Sequence, residues 1–416
     1  MIRTDNMNTL EQNALNYHAA GKPGKLAIQV TKAVATQDDL SLAYSPGVAV
    51  PCIEINKNPG KAYEYTAKGN LVGVITNGTA VLGLGDIGAL AGKPVMEGKA
   101  VLFKKFAGID SFDIEIDETD PEKLVEIIAA LHPTFGGINL EDIKAPECFY
   151  VERRLRERLA IPVFHDDQHG TAIVVGAGFL NAVHLTGRDV SMVKVVCSGA
   201  GAAAMACLDM LLDLGVRREN VYVCDSRGVL TTQRELSGEK KAWAQDTDAK
   251  TMSDVIGMAD VFLGVSGPGL LKQEDVKKMA ARPIVFALAN PEPELRPELV
   301  REVAPEAIIA TGRSDYPNQI NNALCFPYLF RAALDSAATT INQAMKRACV
   351  LALAEMARSD AQFGKEYIVP TLLDKRLLTG VTPRIATAAF DSGVARKQLH
   401  PAEYGAQLEA LAATLL

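Results

Sequence analysis

The stretch from residue 192 to residue 225 restricts the fold of this chain more than any other. An apolar run over residues 192–197 leads into a turn that contains Gly199 and Gly201, and a helical segment follows. A second apolar run ends at Asp225, 24 residues after Gly201. Strand, glycine turn, helix, strand and acid occur in this order in the βαβ units that bind dinucleotides. The stretch therefore predicts a doubly wound α/β sheet with a dinucleotide bound outside the carboxyl ends of its strands.

The glycine turn and the end of the second strand define the expected dinucleotide contacts. Glycines let the backbone approach a pyrophosphate, which the N-terminus of the following helix holds. Asp225 favours NAD because an acid here binds the ribose hydroxyls, whereas Ser226 and Arg227 can accommodate the 2′-phosphate of NADP. The expected contacts are Gly199, Ala200, Gly201, Ala202, Ala203, Ala204, Asp225, Ser226 and Arg227.

The rest of the second half repeats strand and helix. Three further apolar runs end in polar residues, which lie along one crevice if the sheet is parallel. Asparagines there can orient a substrate carboxylate or a nicotinamide amide, although asparagine before proline is also an ordinary turn device. These candidates are Asn290, Asn321 and Asn322. Helices are expected over residues 171–185 and, as one long helix, over residues 325–356.

Two pairs of acidic residues follow two apolar runs in the first half. The pairs are Glu141 with Asp142, and Asp166 with Asp167. Converging carboxylates repel one another unless a cation intervenes, and an all-oxygen ligand set suits Mg²⁺ or Mn²⁺. The pattern therefore predicts one shared metal site. Two histidines beside the second pair are expected to hydrogen-bond around the site rather than to bind the ion: His165 and His169.

Tyr44 and Lys99 carry groups suited to proton transfer, but their surroundings in the sequence favour ordinary structural roles. Tyr44 precedes a turn at Pro46 and Gly47, and such a tyrosine is usually a packed aromatic with a satisfied hydroxyl. Lys99 begins an apolar stretch, where partial burial lowers the pKa of a lysine and permits a neutral amine base. A solvated lysine at the start of a strand is the commoner alternative.

Composition argues against several classes of function. The net charge is −7 without a basic stripe or tail, which disfavours nucleic acid as a partner. No apolar run reaches the roughly 18 residues that a membrane span needs. Seven scattered cysteines without a CxxC pair predict reduced thiols and a cytoplasmic location. A length of 416 residues predicts two or three domains.

Six motifs, in order, resemble those of the malic enzymes, and most of all the bacterial NADP-dependent type. The resemblance runs from about residue 13 to about residue 395. The motifs are LAYSPGVA at Tyr44, MEGKAVLFKKFAG at Lys99, INLEDI at Glu141 and Asp142, FHDDQHGTA at Asp166 and Asp167, GAGAAA at the glycine turn, and NPEPE from Asn290.

The resemblance implies oxidative decarboxylation of L-malate to pyruvate and CO₂, with NADP rather than NAD as cofactor and Mg²⁺ or Mn²⁺ as the metal. The implied metal ligands are Glu141, Asp142 and Asp167. The implied proton-transfer residues are Lys99 as base, Asp166 as its partner and Tyr44 as acid. The implied substrate contacts are Asn290 and Asn322.

The resemblance also implies a catalytic domain over residues 1–160, a Rossmann-like domain with C-terminal helices over residues 161–416, and a homodimer. Ala80 stands where the larger malic enzymes carry an arginine, so the residue that clamps the substrate carboxylate is unassigned. Some bacterial relatives continue into a phosphotransacetylase-like domain, and none is expected here. Such a chain is either a stand-alone form or a truncated one.

Two other functions are compatible with parts of this pattern. A metal-dependent oxaloacetate decarboxylase would use the acidic pairs and hold the dinucleotide only structurally. A dinucleotide-sensing regulatory protein would need the glycine turn but neither Tyr44, Lys99 nor the acidic ligands. The presence of all of these residues argues against the sensor, whereas the decarboxylase would release CO₂ from oxaloacetate and leave malate and NADP⁺ unchanged.

Overall fold

A computed structural model of the chain describes residues 4–81, 83–236 and 238–415, with side chains from residue 9 onwards. Four parallel strands form the first sheet in the order β2-β1-β3-β4. Their bounds are β1 (Leu71–Thr76), β2 (Asp110–Glu115), β3 (Gly137–Leu140) and β4 (Val163–His165). The first sheet thus extends to His165, beyond the domain division predicted at residue 160, which itself stays a prediction.

Six strands form the second sheet in the order β10-β9-β8-β5-β6-β7. All of its pairings are parallel except that of β7, which runs antiparallel to β6. The bounds are β5 (Val195–Ser198), β6 (Val221–Asp225), β7 (Gly228–Val229), β8 (Val261–Gly264), β9 (Ile284–Ala287) and β10 (Ile308–Thr311). This arrangement confirms the predicted doubly wound α/β class.

Helices cover both sheets and make up the two ends of the described chain. The first eight are α1 (Thr4–Ala19), α2 (Gln37–Ala43), α3 (Ala49–Lys57), α4 (Ala62–Tyr65), α5 (Ala89–Ala107), α6 (Pro121–Leu131), α7 (Glu147–Arg158) and α8 (Asp166–Thr186). The others are α9 (Ala202–Asp213), α10 (Met252–Val255), α11 (Gln273–Val276), α12 (Pro297–Val303), α13 (Phe326–Asp335), α14 (Gln343–Arg358), α15 (Arg376–Asp391) and α16 (Pro401–Leu415).

Two helix predictions are corrected by the structure. The helix expected to begin at residue 171 begins at Asp166, because β4 ends at His165 and the chain turns at once into α8. The single long helix expected over residues 325–356 is two helices, α13 and α14. Ser336 ends α13, and the Asn342 side chain caps the N-terminus of α14 by accepting a hydrogen bond from Met345.

Helix α8 is the central packing element of the fold. Its side chains are buried along most of its length, as expected for a helix that is apolar on all sides. One cluster of buried apolar side chains includes Val72 of β1, Val174 of α8 and Val195 of β5. Helix α8 therefore joins the cores of the two sheets. Among the described residues, no helix combines the length and apolar character needed to cross a lipid bilayer.

Both sheets reverse their direction of winding after the first strand. In the first sheet β1 is flanked by β2 and β3, and in the second β5 is flanked by β6 and β8. Ligands of open α/β sheets bind outside the carboxyl ends of the strands at such a switch point. The topology therefore creates two crevices, one after β1 and β3 and the other after β5 and β8.

The N-terminal part of the chain packs poorly against the rest. From residue 9 to residue 70, no described side chain is buried. Large apolar side chains are nevertheless frequent there, and Ile28, Val30 and Leu42 are 85%, 78% and 76% exposed. Exposed large apolar side chains at this frequency are typical of a segment that contacts another protein surface.

Candidate active site

Three carboxylates converge in the crevice of the first sheet. Glu141 and Asp142 directly follow β3, and Asp167 lies in the first turn of α8, after β4. One oxygen from each of the three residues lies within 4.8 Å of the others. The structure thus brings together the residues predicted as metal ligands.

Local backbone geometry holds this carboxylate group in place. Asp142 has a φ of +53°, an uncommon value for a residue other than glycine. Its backbone N–H donates a hydrogen bond of 2.8 Å to Asp167, and its carbonyl oxygen accepts one of 3.0 Å from the backbone N–H of Ala80. The Asn139 side chain donates a hydrogen bond of 2.9 Å to Glu141. Asn139 lies inside β3, so the sequence pattern alone gave no reason to select it.

Lys99 lies beside the carboxylate group and is almost fully buried. Its Nζ is 2.7 Å from Asp166 Oδ2 and 2.8 Å from Glu141 Oε1. The ammonium also lies 4.5 Å from the centre of the Phe326 ring, a cation–π contact. Two anions and an aromatic face therefore fix the position of this cation.

The surroundings of Lys99 differ from the sequence prediction in two ways. The residue lies in the middle of α5 rather than at the start of a strand. Burial alone lowers the pKa of its ammonium group, but the carboxylates of Asp166 and Glu141 outweigh burial, and the pKa of Lys99 is raised instead of lowered. The sequence could not reveal this, because both partners are distant along the chain.

The electrostatics of the group fit a bound divalent cation. Burial and repulsion by Asp167 and Glu141 raise the pKa of Asp142 to about 9, and burial raises the pKa of Glu141 to about 7. Asp142 Oδ2 is buried and has no hydrogen-bond partner among the described residues. An unpaired buried oxygen among carboxylates that repel one another is the donor set that Mg²⁺ or Mn²⁺ requires.

The two predicted neighbouring histidines differ from each other. His169 Nε2 lies 2.9 Å from both carboxylate oxygens of Glu152, a residue that the sequence pattern did not single out. His165 is fully buried, and neither of its ring nitrogens has a hydrogen-bond partner in the described part of the chain. The hydrogen-bonding role expected for both histidines is therefore present for His169 alone.

Close packing at Gly170 brings the asparagine loop against this group. A Cβ atom on Gly170 would lie 1.9 Å from Asp166 Oδ1 and 2.9 Å from Asn322 Cβ. Asn322 is thus next to Asp166, and its assignment to the substrate stays a prediction. The side chain of Asn321 instead accepts a hydrogen bond from the backbone N–H of Ala323 and caps a short 3₁₀ helix.

Asn290 lies in the loop after β9. Its side chain packs against Gly312, where a Cβ atom would lie 2.4 Å from Asn290 Nδ2, and its backbone lies close to Gly83. Glu294, four residues further on, is fully buried and was not singled out from the sequence. It accepts hydrogen bonds from the backbone N–H groups of Ser266 and Ala289, at 3.0 and 3.1 Å. This carboxylate ties together the loops after β8 and β9.

A cleft of about 940 Å³ occupies the crevice of the second sheet. The predicted residues that line it are Gly199, Ala200, Gly201, Asp225, Ser226 and Arg227. Gly199 has a φ of +120°, and a Cβ atom there would lie 2.7 Å from the Val265 carbonyl oxygen, so only glycine fits. The three alanines that follow begin α9, and Ala204 is buried in the core. The cleft has the shape and glycine turn of a dinucleotide site.

Asp225 does not offer the free carboxylate that the order of strand, glycine turn, helix, strand and acid suggests. Both of its oxygens accept hydrogen bonds from the Arg234 guanidinium, at 2.8 and 2.9 Å, and Lys240 Nζ lies 3.3 Å away. Hydrogen bonds from Arg234, Arg227 and Lys240 outweigh burial and lower the pKa of Asp225. Neither Arg234 nor Lys240 belongs to the sequence pattern that predicted the dinucleotide site, and only the fold brings them to the end of β6.

Tyr44 stands apart from the other predicted catalytic residues. It ends α2, is 73% exposed, and its side chain makes no hydrogen bond to the described residues. The single chain therefore does not bring Tyr44 into the buried group around Lys99.

Comparison with known proteins places the chain in a family. The family model "Malic enzyme, N-terminal domain" matches residues 23–156, and the model "Malic enzyme, NAD binding domain" matches residues 168–391. The chain is a member of the malic enzyme family. Its fold is that of the malic enzyme from Pyrococcus horikoshii, with a TM-score of 0.91 and 43% identity, over 98% of this chain and 95% of that one.

Malic enzymes named as NADP-dependent and malic enzymes named as NAD-dependent are both similar to this chain. It is 59% identical to the NADP-dependent malic enzyme of Escherichia coli strain K12, over 94% of this chain and 54% of that protein. It is 55% identical to the NAD-dependent malic enzyme of Rhizobium meliloti strain 1021, over 97% of this chain and 54% of that protein. The chain thus spans about half the length of these two relatives, and identity alone does not decide the cofactor.

The packing at Gly170 predicts an effect of one added methyl group. Gly170→Ala must displace Asp166 or Asn322, so we expect it to weaken Mn²⁺ binding about tenfold, as changes around metal ligands do, and to destabilise the fold by about 1–3 kcal/mol. Titration calorimetry and thermal unfolding measure the two effects.

Gly405→Ala is the matched control, because this helical glycine has open space around its Cβ position. It should leave Mn²⁺ binding unchanged and stabilise α16 by up to about 1 kcal/mol. If the two variants behave alike, Gly170 does not shape the site.

Proposed function

We propose that the protein oxidises and decarboxylates L-malate to pyruvate and CO₂ and reduces NADP, or less readily NAD. The observation that carries this proposal is the position of Lys99, held between Asp166 and Glu141 beside the three-carboxylate group. A metal-binding group, a buried amine and a dinucleotide cleft in one chain match the needs of this reaction. The membership of the malic enzyme family supports the same conclusion.

The carboxylate group is assigned to metal binding. Glu141, Asp142 and Asp167 would hold Mg²⁺ or Mn²⁺, and such an ion stabilises negative charge that develops on the C2 oxygen of the substrate. Asn139 keeps the Glu141 carboxylate oriented, because its amide donates to Glu141 Oε2. Asn290 and Asn322 are assigned to the substrate, whose carboxylates their amides can orient. Asn290 is also assigned to the nicotinamide amide.

Lys99 and Asp166 are assigned to proton transfer at the C2 hydroxyl. Lys99, which is an ammonium at the start, first gives a proton to Asp166, 2.7 Å from Nζ, and the neutral amine then takes the C2 hydroxyl proton as hydride passes from C2 to the nicotinamide. The C4 carboxylate then leaves as CO₂, and the electrons of the broken bond form enolpyruvate. Tyr44 is assigned the last proton transfer, to C3, since a phenol can donate a proton without being ionised at neutral pH.

We infer that the protein is a homodimer in which the exposed N-terminal part lies against a second copy. Residues 9–70 contain no buried side chain, and apolar surface of this extent is costly to leave in water. Tyr44 lies in this part and is 73% exposed. A dimer contact would cover the apolar side chains and carry Tyr44 to a site in the partner.

The cytoplasmic location and the division of the chain at residue 160 stay predictions. Support for the location is the sequence pattern of seven cysteines, none of which is paired in the structure. Support for the division is the presence of two sheets, although β4 lies after the predicted boundary. Limited proteolysis with identification of the cut sites tests the division.

The proposed reaction predicts a defined stoichiometry. With L-malate, Mn²⁺ and NADP⁺, absorbance at the reduced-nicotinamide band should rise, and the pyruvate formed should equal the NADPH formed. Oxaloacetate without pyruvate would make the protein a plain dehydrogenase. CO₂ release from oxaloacetate without malate oxidation would support the decarboxylase, and cofactor binding without any turnover would support a sensor.

Removal of the Lys99 amine should separate catalysis from binding. Lys99→Met keeps an apolar chain against Phe326, and we expect a loss of kcat of about 100-fold or more, the contribution typical of a general base. NADP⁺ binding, measured by fluorescence titration, should stay within about twofold because the cleft lies in the other sheet.

Lys105→Met on the exposed side of α5 is the control for this variant, and its kcat should match that of the wild type. A Lys99→Met protein with normal kcat would exclude Lys99 as the base.

The dimer proposal predicts complementation between two inactive variants. Tyr44→Phe and Lys99→Met homodimers, mixed and allowed to exchange subunits, should recover about a quarter of wild-type activity, since half of the dimers are mixed and each mixed dimer holds one intact site. The recovered activity is measured against the unmixed variants. No recovery after proven exchange would place Tyr44 in the site of its own chain or outside catalysis.

A further inference from the structure

A second cavity, of about 550 Å³, lies between α5, α13, α15 and α16. Its lining residues are different from those of the carboxylate group and of the dinucleotide cleft. Its walls are mostly apolar and include Leu102 and Phe106 from α5, Leu378 from α15 and Leu415 from α16. A largely apolar cavity of this size, with a small number of polar groups, is the usual form of a small-molecule site.

Tyr328 of α13 supplies a hydrogen-bond donor to the wall of this cavity. The residue is 2% exposed, and its hydroxyl makes no hydrogen bond to the described residues. Burial and the nearby carboxylate of Asp374 raise the pKa of Tyr328, so the hydroxyl keeps its proton at neutral pH and remains a donor. A buried donor without a partner costs free energy. Its position in the cavity wall therefore points to a ligand that carries an acceptor.

The charged residues that line the cavity favour an anion. Asp374 is already neutralised, because Arg376 donates hydrogen bonds of 2.9 and 2.6 Å to its two carboxylate oxygens. Lys105 and Lys375 are exposed at the rim, and neither forms an ion pair with a described residue. Positive charge at the opening and apolar walls inside are complementary to a ligand with an aliphatic chain and a negative head group.

We propose that this cavity binds an aliphatic carboxylate, whose chain lies against α5, α15 and α16 and whose carboxylate contacts the Tyr328 hydroxyl and Lys375. A bound ligand would touch the two helices that position the proposed base. Leu102 follows Lys99 by about one turn of α5, and Tyr328 follows Phe326 by two residues in α13. This inference goes beyond the proposed function and does not depend on malate turnover.

Decanoate is the probe for this site. Titration calorimetry of the whole chain with decanoate, without metal, malate or dinucleotide, should show one saturable site per chain. Octanoate should bind about 15-fold more weakly, because each of two missing methylene groups contributes about fourfold in affinity. 1-Decanol, which has the same chain without the charge, should bind at least about fivefold more weakly than decanoate. Absence of saturable binding, or equal affinities for decanoate and 1-decanol, would overturn the proposal.

Two variants on α16 locate the bound chain. Ala412 lines the cavity, and Ala412→Trp should abolish decanoate binding because the indole fills the space. The adjacent Ala413 is exposed and does not line the cavity, so Ala413→Trp is the matched control and should bind decanoate as the wild type does. Decanoate binding that is normal in a folded Ala412→Trp protein would place the ligand elsewhere.

Two further variants test the head-group contacts. Tyr328→Phe should weaken decanoate binding about tenfold and leave the thermal unfolding temperature unchanged, because the hydroxyl has no partner among the described residues. Lys375→Met should weaken decanoate about threefold and 1-decanol less than twofold. The control Lys397→Met changes an exposed lysine beyond the other end of α15 and should alter neither affinity. If neither Tyr328→Phe nor Lys375→Met weakens decanoate, the assignment is wrong.

Thermal unfolding establishes whether each variant is folded, and Tyr328→Phe carries the test if Ala412→Trp is not. Sedimentation velocity distinguishes a second copy of the chain as the occupant, since decanoate would then dissociate the dimer, and this result would contradict the proposal. Decanoate binding without malate oxidation would leave the site standing and refute the proposed function. Malate oxidation without decanoate binding would refute this site alone.

Discussion

The burial of one ammonium group among carboxylates is the interaction on which the first crevice depends. Lys99 contacts Asp166 and Glu141, which come from α8 and from the end of β3. A buried charge without a partner costs several kcal/mol, so these elements are constrained to meet at Lys99. The same contact fixes α5 against α8 and sets the spacing of the metal-binding oxygens. The same side chains therefore determine both the stability of this part of the fold and the chemistry of the site.

The two crevices follow from one topological rule used twice. In each sheet the second strand along the chain pairs on one side of the first strand, and a later strand pairs on the other side of the first strand. The loops that part at this crossing leave room for a ligand. Acidic residues fill the first such gap and glycines line the second. One gap therefore suits a cation and the other a pyrophosphate.

The sequence predicted those parts of the site that depend on neighbours along the chain. The sequence places Gly199, Gly201 and Asp225 at regular spacing after strands, and the two acids of each pair are adjacent. Their positions along the chain were therefore sufficient to predict them. It missed Arg234 because that residue lies in the segment after β7, outside the pattern of strands, glycine turn and acid. It misjudged the pKa of Lys99 because both carboxylates come from elsewhere in the fold. It also missed the break between α13 and α14, since both segments are apolar. Tyr44 was identified through family resemblance, and its exposure in a single chain could not be read from its neighbours.

Glu294 has a mechanical consequence for the second crevice. Its carboxylate is bonded to the loops after β8 and β9 and lies under the backbone of Gly264, so the two loops cannot shift separately without leaving a buried anion unsatisfied. The two loops on this side of the cleft are therefore expected to move together as one unit. Independent loop movement is therefore left to the opposite rim, where Arg234 joins the segment after β7 to the sheet.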